Sequence, residues 1–258
     1  MTVTIGGFDG MHVGHQALIC KAQKLIVIEK GSNLTPGDDR CEYTDLPCHF
    51  FNLNEIKNLE AEKFINILKN LNTTKVVIGE DFKFGKERKG DASLLKKHFA
   101  VEVIKEVKID GIGVHSQIIR EFLKKGLIKK ATKFLGHLYK IKGRQIKGQG
   151  LGGKELVPTI NITPVKNYLI PKEGVYITLT GSKPSLTFIG IRSTDNKFSI
   201  ETHILNQNYS IVNEPVKIEF LEFLRENKKF ESIEALKNQI KKDLSEAENY
   251  AFPITALN

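Results

Sequence analysis

Apolar positions in the first half of the chain follow two different periods. Val3–Ile5 is a short apolar run that reads as a strand. Lys75–Gly79 encloses Val76-Val77-Ile78, the unbroken apolar run expected of a strand buried on both faces of a parallel sheet. Between them Ala61, Phe64, Ile65 and Leu68 fall on a 3.6-residue stripe, which predicts a helix over 60–70. Ala17, Leu18, Ala22, Leu25 and Ile26 fall roughly at helical spacing, although Leu25–Ile28 could instead begin a second strand. Residues 31–48 are rich in Gly, Pro, Asp, Asn and Cys and read as an irregular loop. Phe50–Leu53 is short and apolar, Val101–Ile109 is strand-like, and Ser116–Lys124 reads as a helix closed by Gly126. The alternation of strand and helix argues for an open parallel sheet with helices on its faces.

The pattern changes near residue 137. Tyr139–Ile141, Thr159–Ile162, Val175–Leu179, Thr187–Ile191, Ser199–Ile204 and Val216–Phe223 are short strand-like runs separated by Gly, Pro, Asn and Ser. Regular short strands with turn punctuation suggest a small β-barrel. Ser232 is a good N-cap for a last helix whose apolar stripe is Ile233, Leu236, Ile240 and Leu244. The domain boundary falls at about 134–139, giving residues 1–136 and 137–258, with Lys129, Lys130 and Lys133 on the solvated face of a connecting helix.

Composition narrows the classes. A chain of 258 residues suffices for two ordinary domains, and 40% hydrophobic with 27% charged residues is a soluble globular balance. No apolar run approaches a membrane span, and the N-terminus enters its first strand at once, so a cytoplasmic protein without a signal peptide is expected. Cys20, Cys41 and Cys48 are odd in number and lack Cys-x-x-Cys spacing, which predicts free thiols in a reducing compartment. The net charge of +9 suits anionic ligands. No dense basic stripe with interleaved aromatics occurs, which disfavours a dedicated nucleic-acid binder.

Candidate chemistry starts at the first strand–helix junction, Gly6-Gly7-Phe8-Asp9-Gly10-Met11-His12-Val13-Gly14-His15. Glycines let backbone N–H groups approach phosphates, and two imidazoles can meet the charge that builds up as a phosphate leaves. Gly79-Glu80-Asp81-Phe82-Lys83-Phe84-Gly85 follows a buried strand; its rings pack on the core or stack on a flat ligand. Ser116 and Arg120 lie one turn apart at a helix start, suited to a phosphate. In the second half, Gly148, Gly150, Gly152 and Gly153 make an N–H-rich loop, and Pro158-Thr159-Ile160-Asn161 offers hydroxyl and amide oxygens; a Thr hydroxyl beside phosphates is a typical Mg²⁺ ligand. Glu201 and His203 share one strand face, either facing solvent or doing chemistry.

These stretches together resemble the prokaryotic bifunctional riboflavin kinase/FAD synthetase family over about residues 3 to 250. Gly-x-Phe-Asp-Gly-x-His-x-Gly-His, residues 79–85 and residues 114–120 resemble the adenylyltransferase half. The Gly-rich loop, Pro158–Asn161, Gly174-Val175-Tyr176, Glu201–His203, Arg225 and Phe230 resemble the kinase half, in order. The resemblance implies an α/β plus β protein: an N-terminal Rossmann-like nucleotidyltransferase domain and a C-terminal small Greek-key β-barrel with a terminal helix. It implies phosphorylation of riboflavin to FMN, then transfer of AMP from ATP to FMN with release of pyrophosphate. His12 and His15 would line the ATP phosphates together with Gly7, Phe8, Asp9, Gly10, Gly14, Ser116 and Arg120. Asp81 and Phe84 would meet the flavin, as would Arg225 in the kinase. Glu201 would be the general base, Gly148, Gly150, Gly152 and Asn161 would hold the second ATP, and Thr159 with Asn161 would take Mg²⁺. Partners would be riboflavin, FMN and ATP, with no nucleic acid, no membrane, and a monomer or weak homo-oligomer. The chain departs from the pattern at His115, Gln117 and Ile118, and at Gly153, Leu156 and Ile160. Two alternatives stand beside this reading: a kinase whose adenylyltransferase half has drifted, and a non-catalytic flavin- or RNA-binding regulator. Retention of His12, His15 and Glu201 argues against the regulator.

Overall fold

The computed structural model describes residues 1–146, 157–192, 197–206 and 215–252. The chain forms two compact units, Met1–Ile119 with Phe134–Gly136, and Arg120–Lys133 with His137–Asn258.

The first unit is a five-stranded sheet of β1 (Thr2–Gly6), β2 (Lys24–Glu29), β3 (Cys48–Asn52), β4 (Lys75–Gly79) and β5 (Ala100–Ile104). All pairs are parallel and the order is β3-β2-β1-β4-β5. Both faces are covered, which is why the central strands are apolar throughout. On one face Val3, Ile5, Ile26, Val76 and Ile78 pack with Phe64, Ile65 and Leu68 of α3 (Ala61–Asn70) and Leu95 of α4 (Ala92–Lys96). On the other, Leu25, Val27 and Val77 pack with Leu18 and Ile19 of α1 (Val13–Ile19) and with Phe8 and Met11. A short helix, α2 (Leu53–Ile56), follows β3. The strand order reverses between β1 and β4, and in such sheets ligands bind at that switch point beyond the strands' carboxyl ends.

Three local expectations are refined. The ambiguous run at Leu25–Ile28 is strand, because α1 ends at Ile19 and Leu25 pairs with Thr4 of β1. The run Val101–Ile109 is divided: after β5 the chain makes a hairpin of β6 (Lys108–Ile109) and β7 (Ile112–Gly113). Asp110 (φ 52°) and Gly111 (φ 78°) supply the two left-handed residues that such a turn needs. The expectation of three free thiols is corrected, since Cys41 is disulfide-bonded to Cys48 and only Cys20 is free. A 3-10 turn over Gly37–Tyr43 inside the irregular loop brings the two Cα atoms to 6.3 Å, within bridging range.

Helix α5 (Ser116–Lys124) crosses from the first unit to the second, and α6 (Ile128–Leu135) follows. Residues 120–133 pack with the second unit through specific contacts. Lys172 N donates to Leu123 O at 3.0 Å, a Cβ at Gly126 would touch the Phe223 ring, and Lys129 pairs with Glu222 at 2.7 Å.

The second unit is a closed antiparallel barrel of β8 (Tyr139–Ile146), β9 (Ile160–Pro164), β10 (Gly174–Thr180), β11 (Lys183–Ile191), β12 (Phe198–Ile204) and β13 (Val216–Arg225). The order is β10-β11-β12-β9-β8-β13, and closure removes the exposed edges. Its interior holds a ring of five fully buried hydroxyls: Thr178, Ser185, Thr180, Thr202 and Thr187. Successive oxygens lie 2.8, 2.8, 2.8, 3.0 and 2.8 Å apart around the ring. Each hydroxyl can donate once and accept once, so the ring satisfies itself.

Helix α7 (Ile233–Glu248) starts as expected, with Ser232 Oγ accepting from Ala235 N at 3.1 Å. Its apolar stripe is only half used. Leu244 and Ala247 join Val175, Ile177 and Leu221 in the core, whereas Ile233 stays 60% exposed. The buried end is fastened by a bidentate pair of Arg225 with Asp243 (2.7–3.0 Å). Among the described residues no helix is long and apolar enough to cross a membrane.

Candidate functional site

In the first unit the chain leaves β1 through Gly6 and Gly7 and reverses at Gly10 (φ 86°) before α1. Gly10 has no room for a side chain, because a Cβ would come within 2.9 Å of Leu34. His12 caps α1: its Nδ1 accepts from His15 N at 3.3 Å. That bond fixes the tautomer and leaves the proton of the neutral ring on Nε2. A Cβ on Gly14 would press on the His12 ring at 3.2 Å. His12 and His15 stack with centroids 3.5 Å apart. Burial holds His15 well below the ordinary imidazole value, and the neighbouring positive groups His12, Arg40, Lys30 and His115 push in the same direction. Its Nδ1 is shut from solvent without a partner among the described residues. The two rings therefore form a stacked pair in which burial disfavours the charged form of His15.

The expected phosphate-loop residues have divided roles. Asp9 is 3% exposed, and its Oδ1 accepts from Leu34 N (2.9 Å) and Thr35 N (3.0 Å), tying the 31–36 segment to the loop. Gly10 N donates to Thr35 Oγ1 at 2.8 Å. Phe8 is core, 1% exposed. Ser116 joins this site, donating from Oγ to Asp9 O at 2.7 Å. Arg120 lies one turn further, where the chain has passed into the second unit. His115 is engaged with Glu106 at 2.8 Å.

Asp81 is exposed just after β4. Phe84, expected against the flavin, is instead core: it is 7% exposed and lies 5.4 Å from the Phe64 ring. Phe82, 5.9 Å from Phe84, packs on the edge of the same core and is the less buried ring of the pair. Two basic residues of this unit escape sequence reasoning. Lys30, at the end of β2, lies against Gly7, and Arg40 is wholly buried in the irregular loop. Neither carries a local pattern; a lone Arg in a polar loop gives no signal.

In the second unit Glu201 of β12 pairs directly with Asn161 of β9, while Thr202 and Ile160 face the barrel interior. Glu201 Oε2 accepts from Thr159 Oγ1 at 3.4 Å, and Oε1 accepts from Arg192 Nη1 at 3.3 Å. The same Arg192 nitrogen donates to Asn161 Oδ1 at 3.4 Å. Pro158 O lies 2.7 Å from His203 Nδ1, fixing that ring beside the cluster. Arg192 was not expected; its position at the end of β11 becomes informative only through the strand pairing. A cavity of about 300 Å³ opens alongside, walled by Ile146, Ile162, Ile170 and Phe198, with Asn161 and Arg192 in its lining. Arg225 does not offer its fork to a ligand, since Asp243 occupies it. Gly148, Gly150 and Gly152 lie outside the described residues. No group of three His, Cys, Asp or Glu suited to a metal occurs among the described residues. The oxygens of Thr159, Asn161 and Glu201 are instead hard donors of the kind Mg²⁺ takes when phosphates and water complete its shell.

Two family models match the chain: riboflavin kinase over residues 135–251, and FAD synthetase over residues 1–33 and 44–118. Among similar curated proteins, a bifunctional riboflavin kinase/FMN adenylyltransferase of Buchnera aphidicola from Schizaphis graminum is 32% identical, covering 96% of this chain and 93% of the relative. Proteins of the same description from Mycoplasma pneumoniae and Pseudomonas fluorescens are 30% and 29% identical. They cover 96% and 97% of this chain and 97% and 93% of their own. A crystal structure described as a macrolide-efflux protein from Streptococcus pneumoniae superposes with a TM-score of 0.85 at 23% identity. It covers 97% of this chain and 94% of that one, a likeness of fold.

Proposed function

The chain belongs to the bifunctional riboflavin kinase/FMN adenylyltransferase family, and from that premise we propose which residues carry out its two transfers. The enzyme phosphorylates riboflavin to FMN with ATP and then transfers AMP from a second ATP to FMN, giving FAD and pyrophosphate.

For phosphorylation, Glu201 accepts the proton of the riboflavin 5′-hydroxyl as that oxygen attacks the γ-phosphorus of ATP; ADP leaves. A carboxylate placed beside a poor nucleophile is a sufficient base. The observation that carries this assignment is the pairing of Glu201 with Asn161, which puts base and phosphate-side ligand on one face. Arg192 orients the Glu201 carboxylate. Thr159 and Asn161 would hold Mg²⁺, which supplies charge neutralisation on the transferring phosphoryl group.

For adenylylation, an FMN phosphate oxygen attacks the α-phosphorus of ATP and pyrophosphate leaves. His12 and His15 donate to the phosphate oxygens on which charge accumulates. Ser116 keeps the Gly7–Gly10 loop in shape through Asp9 O. Asp81 and Phe82 border the flavin. The adenylyltransferase falls within residues 1–136 and the kinase within 137–258, with the linking residues 120–133 packed on the kinase, in a cytoplasmic protein.

A chromatographic product assay of the purified chain with riboflavin, ATP and Mg²⁺ tests both assignments. FMN followed by FAD is the expected result. FMN alone would limit the reading to the kinase.

A further inference from the structure

The polar group in the first unit that the two transfers leave unexplained is the guanidinium of Arg40. Its side chain is 0% exposed. Nη1 donates to Glu29 Oε2 at 2.7 Å and to Gly37 O at 3.3 Å. Nε and Nη2, the opposite edge of the fork, are shut from solvent with no partner among the described residues. A guanidinium does not shed its proton, so this edge presents two buried donors and a permanent charge. Glu29 has no oxygen to spare for it, since Oε1 already accepts from Gly31 N (2.8 Å) and Ser32 N (3.2 Å).

We propose that Arg40 is a phosphate-binding residue of the adenylyltransferase site, its Nε–Nη2 edge taking two oxygens of a phosphate group on a bound substrate. The proposal rests on reading the first unit as the adenylyltransferase.

Three further observations support it. Of the eight buried side-chain polar atoms without partners among the described residues, four belong to Arg40, Ser32 and His15. Ser32 and Arg40 share the Glu29 carboxylate, and the charge of Arg40 reaches His15. Unmet donors and acceptors thus concentrate around one corner of the site instead of scattering through the unit. Second, the largest charge contributions at His15 come from basic groups, His12, Arg40, Lys30 and His115. Such a field calls for an anion, and the parallel N–H pair of Arg matches phosphate geometry where a point charge does not. Third, Arg40 comes from residues 34–43, the stretch that the FAD synthetase model passes over. The Cys41–Cys48 bridge ties that stretch to β3.

Two substrate groups share this chemistry, the polyphosphate of ATP and the 5′-phosphate of FMN. Arg40→Lys keeps a cation facing Glu29 and deletes the Nε–Nη2 edge; Arg40→Gln removes the charge as well. Both variants of the full chain are titrated by calorimetry with pyrophosphate, ATP and FMN, and assayed for FAD formation. Riboflavin phosphorylation, expected to stay within twofold of wild type, reports that the second unit is folded, and wild-type hydrogen-exchange protection of β1, β2 and β4 reports the same for the first unit, which carries Arg40. Arg40→Lys should weaken one phosphorylated ligand at least tenfold, with its KM following. Loss on pyrophosphate and ATP assigns the polyphosphate; loss on FMN alone assigns the monoester. Because the edge is shielded from solvent, binding must shift the segment that covers it, and hydrogen exchange over 31–43 should change on titration. Ligand affinities within twofold of wild type for Arg40→Lys would overturn the proposal and leave Arg40 as the counterion of Glu29. A wild-type chain that binds ATP and FMN but makes no FAD would sink the adenylyltransferase reading alone. Arg40 would then still be judged by its effect on binding.

Discussion

Glu201 and Asn161 stand directly opposite one another across the antiparallel β12–β9 pair. Directly opposed residues project to the same face of the sheet, so one register places the base next to the phosphate-side amide. Glu201→Gln keeps the shape and removes the proton acceptor. Riboflavin phosphorylation should fall by about 10²–10⁴-fold. Conversion of supplied FMN to FAD should be unchanged, and His15→Ala should give the reverse pattern. Separate quantification of FMN and FAD from each starting substrate checks both. If either change removed both activities from folded protein, the two-site assignment would fail.

Arg192 touches Glu201 and Asn161 through the same nitrogen. Its removal leaves the base in place and loosens its orientation. Arg192→Met should lower kcat for riboflavin phosphorylation by about 10- to 100-fold, the scale of a small misplacement of a reacting group. KM for riboflavin should move less than kcat, and Arg192→Lys should restore part of the loss. A KM effect without a kcat effect would instead make Arg192 a substrate-binding residue.

The hydroxyl ring inside the barrel gives a stability test free of the chemistry. Thr202→Val is close to isosteric but deletes the oxygen that bonds to both Thr180 and Thr187. Two buried hydroxyls then lose a partner, at about 1–3 kcal/mol. Thr202→Ser keeps the ring and should stay within about 1 kcal/mol, the loss of one buried methyl group. Urea unfolding of the three proteins measures the difference.

Local periodicity revealed the elements, and pairing across elements decided the sites. The helix at Ala61–Asn70, the strand at Lys75–Gly79 and the cap at Ser232 were legible because each is a short-range pattern. So was the His12/His15 turn, whose spacing alone brings two rings onto one helix start. The Asp110-Gly111 turn carried a usable hairpin signal just beyond the Val101–Ile109 run, which reads as one strand. Phe84 could be core or ligand contact by sequence; only its packing on Phe64 decides. Arg225 was expected on the flavin, but the chain brings Asp243 back along α7 to take its fork. Arg192 and Arg40 were invisible for the same reason: an arginine's meaning lies in what the fold sets against it.

Acid should weaken the first unit in two separate steps. Burial and nearby cations hold folded His15 well below its ordinary 6.5, while the unfolded chain takes up the proton near that value. In between, the unfolded state binds more protons, so stability rises with pH and is complete above about 6.5. Glu29 behaves likewise lower down. Burial alone would raise its pKa, but the Arg40 hydrogen bond, with those from Ser32 and Gly31 and the Arg40 charge, outweighs it and sets the value at about 2. Its contribution is therefore present above 4.5 and is lost as pH falls toward about 2. His15→Asn should flatten the fall of the urea midpoint that begins as pH drops below 6.5 and leave the loss below pH 4.5 that belongs to Glu29 untouched. ATP should act on the upper step in the opposite sense, because a phosphate beside His15 favours the charged ring. The His15 ring proton, followed by NMR, should titrate at higher pH with ATP bound than without it. An unchanged titration would place the triphosphate away from His15.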